Sequence, residues 1–192
     1  MQSDARYDTL LATMVRDNPG LRVVPKAGSR LQKAIDLGLR VMTFGSMSTY
    51  LTNYTTVIGR TIYVPAGWAE RDADERYITM RHEAIHLRQM RRYTMVGMAL
   101  LYALPFFPLG LAYGRARIEW EAYAETLRAV AEVRGLKSAR APELRAHIVR
   151  QFTSSAYGWM WPFPATVERW IDEELARIGQ AAMGSAPHGA VK

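Results

Sequence analysis

His82, Glu83 and His86 lie within "RHEAIHLRQ", residues 81–89, which holds two of the chain's four histidines. Side chains at i and i+4 on an α-helix project from one face, a turn apart. Both imidazoles can therefore bind a single metal ion. A glutamate at i+1 points beside them, where it can hold and deprotonate a water polarised by the metal. A catalytic site of this kind needs a third protein ligand and an open coordination position. The chain has no cysteine, so the third ligand must be His, Asp or Glu.

The other two histidines are weak candidates. His188 falls in the C-terminal tail, and His147 on a separate predicted helix reads as an ordinary surface or core histidine. "RIEWEAYAE", residues 117–125, offers Glu119, Glu121 and Glu125. Helical periodicity separates them. Arg117, Glu121, Glu125, Arg128 and Glu132 share one charged face, which reads as solvated and paired at i,i+3 and i,i+4. Glu119 falls instead with Ala112, Ala116, Ala122, Tyr123 and Thr126. A carboxylate in such surroundings faces inward and needs a partner, and a metal would be one. Ala122 would let this helix approach the histidine helix closely. Glu119 is thus the favoured third ligand, with Glu121 as the alternative.

"HEAIH" followed at a distance by "EWEAY" resembles the gluzincins, zinc metallopeptidases whose H-E-x-x-H helix precedes a second helix carrying E-x-x-[AS]-[DN]. The likeness spans residues 45–130 in element order and leaves 135–180 outside. It implies one catalytic Zn2+ held by His82, His86 and the downstream glutamate, with Glu83 as general base. The implied reaction is metalloendopeptidase hydrolysis of a peptide or protein substrate. Glu119-x-x-Ala122 fits the second motif, but Tyr123 stands where the family has Asp or Asn, the side chain that supports a ligating histidine. The shifted register Glu121-x-x-Ala124-Glu125 restores a carboxylate there. Zincin-type enzymes also use a Tyr, His or Arg to stabilise the oxyanion. Tyr157 or His147 could serve, although Tyr157 could equally cap the core with Trp159, Trp161 and Phe163. Tyr123 keeps a non-enzymatic alternative open: a zincin-like scaffold that binds zinc or a partner without turnover.

The elements that must position these residues are legible in outline. Residues 4–17 predict a helix with Leu10, Leu11, Met14 and Val15 on one side, stopped by "DNPG". A short helix is expected at 29–38. "LRVMTF" and "STYLTNYTTVIGRTIYVP" have strand composition. They suggest strands at about 50–58 and 61–64 joined at Gly59-Arg60, the second ended by Pro65. In the zincin order an edge strand can pair with extended substrate. The histidine helix is expected over 74–95, with acidic residues early and arginines late. Further helices are expected at 115–135, from Pro142 onward, and across "ATVERWIDEELARIG". The fold class is α+β: a zincin-like small N-terminal antiparallel sheet, a mainly helical core and C-terminal helices. Residues 1–180 form a single domain, and 181–192 a flexible tail.

Composition sets the remaining bounds. With 49% hydrophobic residues in 192, the chain can fill a core and is not disordered. A net charge of +7 favours acidic partners, yet no specific nucleic-acid motif is present. A third reading is therefore a basic, membrane- or nucleic-acid-associated helical protein with incidental histidines. The absence of cysteine fits a reducing compartment, and the N-terminus does not read as a secretory signal, so a cytoplasmic location is expected. Residues 94–114 carry no charge. One straight span would separate His86 from its third ligand by roughly 30 Å. A hairpin turning at Pro105 and Pro108 is required instead, buried or interfacial, and available to a membrane or a hydrophobic partner.

Overall fold

The computed structural model describes residues 2–26, 55–103, 111–154 and 160–184. The expected helix at 29–38, the strand composition at 39–44, Pro105, Pro108, Tyr157, Trp159 and His188 lie outside those residues.

Helix α1 (Gln2–Asp17) ends where Asn18 binds back to the Met14 carbonyl, through its side-chain amide at 2.8 Å and its backbone N–H at 3.0 Å. Tyr7 and Met14 are its buried residues, while Val15 of the expected apolar side is exposed. Gly20, at φ +85°, turns the chain into β1 (Arg22–Pro25). Strands β2 (Thr56–Ile58) and β3 (Thr61–Val64) form the expected hairpin. Gly59 takes φ +60° at the first central turn position, which suits glycine in a two-residue hairpin loop.

The sheet is mixed rather than antiparallel. Its order is β1-β3-β2, with Arg22 to Pro25 running parallel to Thr61 to Val64. Strand β1 went unrecognised because "RVVP" is only four residues, ends in proline and shows no alternation. Parallel pairing also joins segments far apart in sequence, which a local pattern cannot reveal. Central β3 buries Ile62 and Val64 into the core.

Helix α2 (Ala73–Ala103) carries the histidines. Asp72 caps its start, accepting from the Glu75 N–H at 3.2 Å. At Thr94 the backbone takes φ 61°, ψ 167°, which splits α2 into two helical stretches. The Thr94 hydroxyl accepts from the Gly97 N–H at 3.3 Å and so caps the second stretch. Helix α3 (Leu111–Arg134) returns alongside α2. Pairing runs from Gln89 with Ile118, through Arg81 with Glu125, to Tyr77 with Glu132. Each step back along α2 is a step forward along α3, so the two helices are antiparallel and the chain does fold back between them.

The charged face of α3 is solvent-exposed at Arg117, Glu121 and Arg128 and pairs at i,i+3 as expected, but Glu125 is a correction. Glu125 is buried, bound by Arg81 of α2 and by Arg128 one turn on. Arg128 continues to Glu174, which is buried and also held by Arg177. Glu174 lies on α6 (Pro164–Gly184). A carboxylate so enclosed needs its cations within reach, and these pairs fix the register of three helices. Short α4 (Leu136–Ala139) and α5 (Pro142–Thr153) complete the helical part. The last helix continues to Gly184, past the expected start of the tail at 181. The whole is a mainly helical α+β arrangement with one small sheet.

Candidate metal centre

Antiparallel packing of α2 on α3 brings His82, His86 and Glu119 together. One ligand atom from each lies within 4.8 Å of the others. The two Nε2 atoms are 3.2 Å apart, and His86 Nε2 is 3.8 Å from Glu119 Oε2. Two ligands on one tetrahedral zinc stand about 3.3 Å apart, given bonds of about 2.0–2.1 Å. The donor set could hold such an ion: the two imidazoles stand at this spacing and Glu119 slightly wider. Ala122 is fully buried between the helices, as close approach requires.

The hydrogen bonds determine which histidine nitrogens are free. His82 Nδ1 lies 3.0 Å from Thr126 Oγ1, and that hydroxyl gives its own proton to the Ala122 carbonyl at 3.2 Å. Thr126 must then accept, so Nδ1 is the protonated nitrogen of His82. Gln89 donates from Nε2 to the Ile118 carbonyl and to Glu121, both at 2.9 Å. Its Oε1 therefore faces His86 Nδ1, at 2.9 Å, as acceptor. Both histidines donate from Nδ1 and turn Nε2 toward Glu119, the arrangement that supports ligating imidazoles.

Glu121 is brought near the site in a different place from Glu119. Its carboxylate accepts from Gln89 and lies outside the three-residue group. It orients His86 through one intervening amide. Tyr123 sets its ring edge against His82, with centroids 4.9 Å apart. His147 is exposed on α5 and approaches Gln151 at 3.4 Å, apart from the three-residue group.

Protonation follows burial and neighbouring charge. Burial, together with adjacent His86, holds His82 well below the usual imidazole value. Burial would lower His86 too, but the Glu119 and Glu83 carboxylates outweigh it and raise its value. His86 is therefore the more basic of the two, because the Glu119 and Glu83 carboxylates face it. Glu83 is pushed up to about 7, chiefly by burial, with His86 and Lys26 pulling it down and Glu119 pushing it up. A carboxyl that titrates near neutrality is suited to take and return a proton.

A zinc ion binding here would compete with protons for the His86 imidazole, whose value is raised, so its affinity is expected to fall as pH falls, by up to about tenfold per pH unit. Competition titrations at pH 6 and pH 8 measure this, and equal affinities would contradict it. Gln89→Leu leaves the His86 Nδ1–H without its acceptor, and Thr126→Val leaves His82 only the Ala122 backbone carbonyl. Each is expected to weaken zinc binding by about 10- to 100-fold with the fold retained, measured by chelator competition beside circular dichroism.

Three residues of this neighbourhood were not anticipated as participants. Gln89 lies one turn beyond His86, and Thr126 shares the Glu119 face, so periodicity could have suggested both. Lys26 is fully buried at the end of β1, close enough for its charge to act on Glu83. No sequence pattern marks it, because it arrives from a distant strand.

No protein-family model, curated protein or solved structure matches the chain.

Proposed function

We propose that this protein is a zinc-dependent peptidase of gluzincin type, with His82, His86 and Glu119 as metal ligands and Glu83 as general base. The observation that carries the proposal is the convergence of two Nδ1-anchored imidazoles and Glu119 on one point, with Glu83 buried beside them. Bound there, zinc supplies Lewis acidity toward a carbonyl oxygen and a water. Glu83 receives the proton from the attacking water and returns it to the leaving amine. Thr126 and Gln89 keep the imidazoles oriented throughout. Among the described residues β2 lies at the edge of the sheet, the kind of position at which an extended peptide can add as a strand.

Metal analysis of the purified protein, without affinity tag or chelator, combined with a peptide library tests this. One zinc per chain with cleavage supports the peptidase. Absence of zinc both as purified and after titration overturns it and favours a helical protein with incidental histidines.

One observation favours a second reading, a zinc-binding scaffold without turnover. His82 is supported by a neutral threonine and a backbone carbonyl, with Tyr123 where gluzincins carry a carboxylate. Stoichiometric zinc with no cleavage across the library selects that reading.

A further inference from the structure

The support of His82 does not end at Thr126. Arg81 and His82 are consecutive on α2, and the residues they bind, Glu125 and Thr126, are consecutive on α3. Arg81 Nε donates to Glu125 Oε1 at 2.6 Å, and Thr126 Oγ1 lies 3.0 Å from His82 Nδ1. A movement of Glu125 along or about the α3 axis therefore carries Thr126 with it, away from the ligating imidazole. Glu125 is buried, so its place depends on how both of its oxygens are held. Arg81 takes Oε1, and Arg128 Nη1 takes Oε2 at 3.2 Å.

The Arg128 side chain is 48% exposed. A long cation in such a position turns its head to water unless a partner fixes it. That partner is Glu174 of α6, whose Oε1 accepts from Arg128 Nε at 2.7 Å. The Glu174 side chain is only 1% exposed, and its Oε2 accepts from Arg177 Nη1 at 2.7 Å. A carboxylate buried this deeply costs free energy unless cations enclose it in good geometry, so Glu174 in turn locks Arg128. The chain of contacts runs from α6 through α3 to the histidine helix. Helix α6 lies beyond residues 45–130, the stretch that resembles the gluzincins.

We propose that Glu174 is a positioning residue for the metal centre. Through Arg128 and Glu125 it fixes the part of α3 from which Thr126 holds His82, so the last helix sets how tightly the site binds zinc. The inference rests on the zinc-binding part of the proposed function and does not require turnover.

Chelator competition on the full chain, with zinc as the probe, tests it. Glu174→Gln is expected to weaken zinc binding about tenfold, the lower end for a lost support of a ligating histidine. Glu168→Gln removes the same charge from an exposed position of α6 and is expected to stay within about twofold of wild type. Combination with Thr126→Val separates positioning from general loosening. Once the Thr126–His82 bond is gone, adding Glu174→Gln is expected to cost less than about twofold more, because the two residues act in series. Arg128→Gln breaks the same chain and leaves Glu174 its Arg177. It carries the same expectations and replaces Glu174→Gln if circular dichroism shows that variant unfolded.

Unchanged zinc affinity in whichever of these two variants folds overturns the role of Glu174. So do losses that multiply in the double variant, because Glu174 would then act by another route. A wild type that takes up no zinc overturns the metal site itself, and this inference with it.

Discussion

Glu119→Ala is expected to abolish stoichiometric zinc uptake, whereas Glu121→Ala should keep one zinc per chain at lower affinity. The difference follows from position. Glu119 Oε2 lies 3.8 Å from His86 Nε2 and belongs to the converging group, while Glu121 meets that group only through Gln89. Structural zinc sites bind with about 10–16 kcal/mol over four ligands. Losing one ligand therefore removes roughly 3 kcal/mol, a hundredfold or more in affinity. Glu121→Ala removes a support one step away, for which about tenfold is expected. Metal content after dialysis and a competition titration measure both. Zinc retained in Glu119→Ala but lost in Glu121→Ala would reverse the assignment.

On the proposed peptidase reading, Glu83→Gln should keep the zinc and lose peptide cleavage by about 10²- to 10⁴-fold, the usual contribution of a positioned general base. The same substitution carries a second effect that does not depend on activity. In the folded chain Glu83 is raised from 4.5 to about 7, mainly by burial. A carboxyl raised on folding contributes fully below its unfolded value, and that stability is lost as pH rises through the folded value. Above pH 7 the metal-free protein must hold a buried carboxylate, and glutamine relieves it. Metal-free Glu83→Gln is therefore expected to match wild type near pH 4 and to exceed it at pH 8. The gap between the two values, at 1.36 kcal/mol per pH unit, sets a ceiling of about 3 kcal/mol. Denaturant unfolding in EDTA at both pH values measures it. A wild type more stable than the variant at pH 8 would show that Glu83 is not strained by burial. Added zinc should narrow the difference, because a cation beside Glu83 favours its ionised form.

The sequence by itself determined the histidine pair with its glutamate and favoured, without deciding, Glu119. His82, Glu83 and His86 follow from a four-residue helical spacing, and inward-facing Glu119 follows from its small and aromatic neighbours. These are local features, each of its own helix, and helical geometry converts spacing into direction. That the helix bearing the third ligand must return alongside the histidine helix was also legible, because a straight span would carry the ligands too far apart. Turn chemistry at Gly59 and the major helices were readable for the same local reason.

Tertiary structure decided the contacts that join distant segments. The choice between Glu119 and Glu121 rested on which carboxylate reached the histidines, and the packing of α3 on α2 put Glu119 there and gave Glu121 to Gln89. The charged stripe of α3 is a solvent face at Arg117, Glu121 and Arg128 but not at Glu125, because alternating charges read the same whether water or another helix covers them. Glu125 is instead enclosed by Arg81 and Arg128. Strand β1 and buried Lys26 were invisible because a parallel strand finds its partner across a long stretch of chain. Periodicity reports which way a residue points along its own element. What meets it there depends on how the elements pack, and that is settled by burial, hydrogen bonding and charge across the whole fold.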